Sequence, residues 1–257
     1  MKKIRLGKIH ADYLTMEIAL NKIVDLAKDK KGGYIVTPNV DHIVISEKNK
    51  QLQSAYKEAS LSLADGKPLI WMSKFINKPL PEKISGSDLV RPLLIRAAKE
   101  GLKVYFLGSA PGVAITAAKI LKNEIPKLKI VGVDSPPMNF EKSEILEKET
   151  LEKMLSSNPD IVLMALGAPK QELLMHKWKK LGVLHIMIGV GASLDFVAGK
   201  IKRAPKWISN IGFEWLYRLF QDPGRLIKRY LIQDLAIFKI FFNMLKTPKN
   251  DRVYYND

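Results

Sequence analysis

The chain has 257 residues, 47% of them hydrophobic and 26% charged, with a formal net charge of +16 at neutral pH. That length and apolar content supply a core for one large domain, or one domain with an appendage, and exclude a disordered tail. The absence of cysteine excludes disulfides, thiolate metal sites and cysteine catalysis, and the four histidines, His10, His42, His176 and His185, show no ligand spacing.

The amino terminus, MKKIRLGKIHADYL, begins like a signal peptide but lacks its apolar run, because charged or polar residues recur every few positions. Nowhere do about 18 uncharged apolar residues run together, so no spanning helix is expected and the chain reads as cytoplasmic. Further along, short apolar runs rich in β-branched residues alternate with segments of helical spacing. The runs are YIVTPN (34–39), LSLAD (61–65), KVYFLG (103–108), KIVGVD (129–134), DIVLMALG (160–167) and HIMIGVG (185–191); ITAAKILKNEI and ILEKETLEKML lie between them. This alternation predicts an α/β fold, a Rossmann-like parallel sheet with helices on both faces. Such sheets bind ligands at the carboxyl ends of their strands, so the residues after each run carry the functional question.

Thr37, Pro38 and Asn39 follow the first run, and Ala64, Asp65 and Gly66 the second. A carboxylate at Asp65 can take a proton from a sugar hydroxyl as general base, while the glycine lets backbone approach a ligand. Equally, Asp65 can cap a helix beginning near Lys67, and Asn39 can make a turn bond. Lys83 precedes Gly86-Ser87-Asp88, where Ser87 or Asp88 opens a helix whose first N–H groups favour an anion; a plain cap explains Ser87 as well. Gly108-Ser109-Ala110-Pro111-Gly112 resembles a phosphate-binding turn but fits neither G-x-G-x-x-G nor a Walker A loop, which disfavours a dinucleotide or ATP fold. In Gly167-Ala168-Pro169-Lys170-Gln171-Glu172, Gln171 is expected to be free to read a base or a sugar amide. In Gly189-Val190-Gly191-Ala192-Ser193-Leu194-Asp195 the glycines permit close approach, and Asp195 can accept from a ribose or a base. Each such turn alone is more often structural; several on one sheet edge point to a ligand site.

Beyond Gly191 no further strand is expected. Helix is predicted over roughly 204–221 and roughly 223–245, with a break at Asp222-Pro223-Gly224 where Asp222 caps the second helix. The domains are then residues 1–195, the catalytic sheet, and 196–257, a helical appendage. From Lys200 onward twelve basic residues stand against five acidic ones. Arg225 and Arg229 share a helix face, Arg218 sits on the helix before, and Ile227, Leu231, Leu235, Phe238 and Phe242 form an apolar face. Surface ion pairs and a core-facing stripe are the plain alternatives. The wide apolar face flanked by cations instead suggests membrane docking through residues 200–245, with the arginines folding over a bound nucleotide. Off the membrane the same side chains would favour self-association.

TPN, LADG, GSDL, FLGSAPGV, PDIVLMALGAPKQE, GVGASLDFVAGKIKRAPKW and EWLYRLFQDPGRLIKRY, in this order from about residue 34 to 231, resemble the WecG/TagA/CpsF family of bacterial glycosyltransferases. Within the family the likeness is to members that move N-acetylmannosamine from UDP to C4 of the GlcNAc in undecaprenyl-diphospho-GlcNAc, with inversion, in wall teichoic acid synthesis. The resemblance implies that Asp65 is the catalytic base, or orients the acceptor from the same place, with Thr37 and Asn39 beside it. It assigns nucleotide and diphosphate contacts to the Gly108 turn, Gln171 and the stretch from Gly191 to Asp195. Lys83 stands where relatives commonly have arginine, which keeps the charge and loses the fork geometry.

The chain has no Asp-x-Asp pair. No metal or other cofactor is therefore expected, and cationic side chains must stabilise the departing UDP, at about 3–4 kcal/mol per group in a dry site. The expected partners are a UDP-sugar, a polyprenyl-diphosphate-linked GlcNAc acceptor and the inner face of the cell membrane. The residues also admit two alternatives. One is a family relative that transfers N-acetylmannosaminuronic acid or another hexose. The other is a nucleic-acid-binding protein, suggested by Trp207, Trp215, Tyr217 and Phe220 among basic residues. The second lacks any helix-turn-helix, OB or RRM signature and leaves the polar strand ends unexplained, so nucleic acid is not an expected partner.

Overall fold

The computed structural model describes residues 1–205, 208, 212–221, 223–228 and 233–255. In chain order the elements are β1 (Lys2–Leu6), β2 (Ile9–Asp12), α1 (Met16–Asp29), β3 (Gly33–Val36), α2 (Val40–Ser46), α3 (Lys50–Glu58), β4 (Leu61–Ser62), α4 (Lys67–Phe75) and α5 (Gly86–Lys99). There follow β5 (Lys103–Gly108), α6 (Val113–Glu124), β6 (Lys129–Asp134), a 3-10 turn (Phe140–Lys142), α7 (Glu144–Ser156), β7 (Ile161–Ala165), α8 (Lys170–Lys180), β8 (Ile186–Gly189) and α9 (Ser193–Val197). The carboxyl-terminal part holds α10 (Glu214–Gln221), α11 (Pro223–Lys228), α12 (Ala236–Lys246), a 3-10 turn (Lys249–Arg252) and β9 (Val253–Tyr255). The chain divides into two compact units. The first gathers Met1–Met16, Thr37–Ser85 and Lys202–Asp257; the second gathers Glu17–Val36 and Gly86–Ile201.

The second unit carries a parallel sheet, as the alternating runs predict. β3 pairs with β8, β8 with β7, β7 with β5 and β5 with β6, every pair parallel. β7 and β8 are buried along their whole length, which is why they appear in sequence as unbroken apolar runs rather than as alternation. Helix α6 lies on β5 and β6, and α8 on β3 and β8. The chain leaves β5 for its outer neighbour β6 and leaves β7 for β8 on the other side. Connections therefore diverge between the carboxyl ends of β5 and β7, the place where open parallel sheets form a ligand crevice.

In the first unit β1 and β2 form a hairpin, Leu6 opposite Ile9, across the two-residue turn Gly7-Lys8. Gly7 has φ of +64°, and a Cβ there would meet Glu47, Ile43 and Ile240 at 3.0–3.1 Å. Ile4, Leu6, Ile43, Leu52 and Tyr56 are buried in the core of this unit. α2 lies against α12, whose Ile240 and Met244 are buried while Phe238 and Phe242 are exposed.

Three expectations need correction. Strands do not stop at Gly191: β9 pairs antiparallel with β1, Ile4 opposite Val253, because a three-residue strand becomes stable only by joining a sheet already formed elsewhere. The strand expected over 61–65 ends at Ser62, since the next residues turn toward α4. The helix expected over 223–245 is interrupted: among its described residues α11 and α12 are helical, and Asp234 and Leu235 lie in a turn ahead of α12. Of the range 204–221, Glu214–Gln221 is α10. The capping expected of Asp222 lies outside the described residues. Among the described residues no helix is long and apolar enough to cross a membrane.

Candidate functional site

In the first unit the polar residues that follow β3 and β4 in the chain are held together. The backbone N–H of Asp65 donates to Pro38 O at 2.8 Å, and Ile84 N donates to Ala64 O at 2.8 Å, so the Thr37–Asn39, Asp65 and Lys83–Ser85 segments form one cluster. Thr37 and Ser85 are buried, and Asn39, Asp65 and Lys83 are half-buried. Helix α4 begins at Lys67 as expected, but Gly66 occupies its capping position and no side chain caps it. Asp65 is therefore not spent as a helix cap. Gly66 has φ of +101°, a conformation that glycine adopts without strain and that turns the chain directly after the carboxylate.

Asn39, by contrast, does cap a helix. Its Oδ1 accepts from the backbone N–H of His42 at 3.4 Å at the start of α2. The His42 ring nitrogen Nδ1 lies 2.8 Å from the same Oδ1 and 3.3 Å from the backbone nitrogen of Asn39. His42 carried no signal as a lone histidine in the sequence; the spacing Asn-x-x-His, with the histidine at the third helical position, was the clue available.

In the second unit the turns after β5, β7 and β8 converge. Ser109 N donates to Ala165 O at 2.8 Å, and Val190 N donates to Met164 O at 2.9 Å. A Cβ on Gly108 would fall 2.5 Å from Ala165 O, and its φ is +108°, so only glycine lets the ends of β5 and β7 approach this closely. Ser109 Oγ donates to Asp195 Oδ2 at 3.4 Å, joining the Gly108 turn to the Gly191–Asp195 stretch. The start of α5 meets the same edge, since a Cβ on Gly86 would lie 3.0 Å from Val190 O and 3.1 Å from Ser193 Oγ. Because α5 begins at Gly86, Ser87 and Asp88 lie inside its first turn rather than ahead of it.

Gln171 requires a correction. Its amide is not free: the side chain is buried, Oε1 accepts from Gly167 N at 3.3 Å and from Gly191 N at 3.2 Å, and Nε2 donates to Glu172 Oε1 at 2.7 Å. It ties the turn after β7 to the turn after β8. Lys170, one residue earlier, was passed over in the sequence; its Nζ sits 3.3 Å from Glu141 Oε1.

Helices α6 and α8 start directly after these turns, so their unpaired N–H groups and positive dipole ends collect at the crevice between β5 and β7. That edge favours an anionic group such as a diphosphate. Among the described residues no group of three or more His, Asp or Glu is placed to hold a metal ion. Arg229 lies outside the described residues, as do the side chains of Arg218 and Arg225.

Glycine turns and helix starts gathered at the switch point of a parallel sheet define a Rossmann-like α/β protein. The family model described as "Glycosyl transferase WecG/TagA/CpsF family" matches residues 4–251, and the chain belongs to that family; it is a glycosyltransferase. It is 33% identical over 195 residues to a protein of Bacillus spizizenii strain W23, covering 76% of this chain and 74% of the relative. It is 30% identical over 227 residues to one of Bacillus subtilis strain 168, covering 88% and 84%. Both relatives are named N-acetylglucosaminyldiphosphoundecaprenol N-acetyl-beta-D-mannosaminyltransferase.

Proposed function

We propose that this glycosyltransferase moves N-acetylmannosamine from UDP-N-acetylmannosamine to C4 of the GlcNAc in undecaprenyl-diphospho-GlcNAc, inverting the anomeric carbon. The observation that carries the reading is the Asp65 turn. A carboxylate stands after β4, not used as a helix cap, with its backbone bonded to Pro38 next to Thr37 and Asn39. Asp65 takes the proton of the C4 hydroxyl as its oxygen attacks C1 of the donor sugar, and the bond from C1 to the diphosphate oxygen breaks. UDP leaves with the electron pair of that bond. The β5–β7 edge, with the Gly108 turn, Ser109 and the Gly191–Asp195 stretch, receives the nucleotide diphosphate. Lys83, the start of α5 at Ser87 and Asp88, and the arginines Arg218, Arg225 and Arg229 serve the charge on the leaving group, with no metal required.

The acceptor carries a polyprenyl chain and is met at the inner face of the membrane, to which the protein docks peripherally. Support for docking comes from α10 and α12, where Trp215, Phe220, Phe238, Phe242 and Leu245 are exposed near Lys239 and Lys246.

The test is transfer from UDP-N-acetylmannosamine to a short-chain lipid-diphospho-GlcNAc with chelator present, for wild type and Asp65→Asn. The reading expects product from wild type and a loss of about a hundredfold or more in the variant. Wild type that binds UDP-sugar but makes no product would overturn the donor or acceptor assignment. A fully active Asp65→Asn would overturn the base.

A further inference from the structure

We infer that His42 is a positioning residue for Asn39, fixing the orientation of the Asn39 carboxamide so that its NH2 group is offered as a hydrogen-bond donor to a substrate oxygen. The inference deepens the proposed function and rests on its placing of Asn39 at the site.

An N-cap side chain must present an acceptor to the helix N–H groups, and Oδ1 of Asn39 does so to His42 N at 3.4 Å. A flipped amide would set an NH2 group against that N–H. The cap therefore decides which carboxamide atom is oxygen. Oδ1 also lies 2.8 Å from Nδ1 of His42, and a carbonyl oxygen cannot donate, so the proton between them belongs to Nδ1. The alternative, Nδ1 accepting from the backbone N–H of Asn39 at 3.3 Å, would leave two acceptors facing each other at the shorter distance.

The ring itself has little freedom. His42 is 4% exposed and stands edge-on to the fully buried Tyr56 of α3, with centroids 6.1 Å apart. A buried ring thus holds Oδ1 from one side and the helix start holds it from another. The Asn39 nitrogen Nδ2 points away from both and, among the described residues, donates to none. Two N–H donors in a fixed plane, on a half-buried residue beside Asp65, suit a sugar hydroxyl, an acetamido carbonyl or a phosphate oxygen.

Two measurements test this. Nitrogen-15 spectra of the four histidine rings in the full chain should show His42 as the Nδ1–H tautomer, and His42→Phe should shift and broaden the Asn39 side-chain amide signals. An Nε2–H ring, or amide signals unmoved by the variant, would overturn the inference whatever the substrate. In the transfer assay, His42→Phe keeps the contact with Tyr56 and should lower kcat/KM by about tenfold to a hundredfold. His42→Asn, which restores a polar atom near Nδ1, should recover most of it. Asn39→Ser keeps a capping oxygen and loses the NH2 group; combined with His42→Phe it should be no worse than Asn39→Ser alone. Independent, multiplying losses would reduce His42 to a structural residue and overturn the inference. If wild type transfers no sugar, the proposed function fails, and the tautomer and amide spectra still decide this one.

Discussion

Gln171 shows how one side chain can hold two strand-end turns together. Its carbonyl oxygen accepts from two glycine N–H groups on different turns, and its nitrogen is bonded to Glu172. Gly189 leaves the space it occupies, since a Cβ there would fall 2.8 Å from Nε2. Replacing Gln171 with Met keeps the volume and leaves both N–H groups without this acceptor, which should cost about 1–3 kcal/mol. Urea unfolding measures it, and a midpoint equal to that of wild type would mean that water serves the turns equally well. Asp65 is the opposite case at the same scale. Its backbone is fixed by Pro38 and the glycine after it makes the turn, so the side chain is set by its surroundings rather than by capping a helix.

At the scale of elements, α12 has one buried face and one exposed face. Ile240 and Met244 face the first unit, and Gly7 N lies 3.3 Å from Met244 Sδ. The end of the helix is tied down by Arg252, which donates to Leu245 O at 2.7 Å, Thr247 O at 2.8 Å and Ile76 O at 3.0 Å, meeting carbonyls that a helix terminus leaves without partners. The exposed side chains of the outer face are therefore expected to be dispensable for folding. It is also wider than α12 itself, because the ring of Phe75 on α4, 68% exposed, meets that of Phe241 edge-on at 5.8 Å. Phe238→Ser with Phe242→Ser should leave the melting temperature nearly unchanged while removing co-sedimentation with anionic vesicles and any self-association in their absence. Vesicle binding equal to wild type would show that this face is not the docking surface.

At the scale of the whole molecule, the first unit is assembled from three separated stretches of chain, and its buried polar groups register that assembly. His10 on β2 is pushed from its ordinary pKa of 6.5 to about 3, first by burial and second by the charge of Lys3. The ring is neutral when folded and protonated when unfolded between those values. It therefore contributes stability that is present above about pH 6.5 and lost as pH falls toward about 3, at up to about 1.4 kcal/mol per pH unit. Urea midpoints between about pH 7 and pH 4.5 should fall more for wild type than for His10→Gln; equal slopes would mean that His10 protonates in the folded state. The sequence by itself determined the parallel sheet, because strands buried on both faces must be apolar throughout, and KVYFLG, buried in all but its first residue, is a strand over its full predicted length. It also determined which strand ends carry polar residues, and through seven ordered motifs it pointed to the family. Only the tertiary structure decided that Lys3 and Asp12 are buried 4.0 Å apart, that VYY closes a sheet begun at Lys2, that Gln171 is spent on two turns and that His42 meets Asn39. The first depends on the register of a hairpin, the second on pairing residues far apart in the chain, and the others on side-chain direction. Composition and local periodicity encode none of these, because both are sums over neighbours in sequence rather than in space.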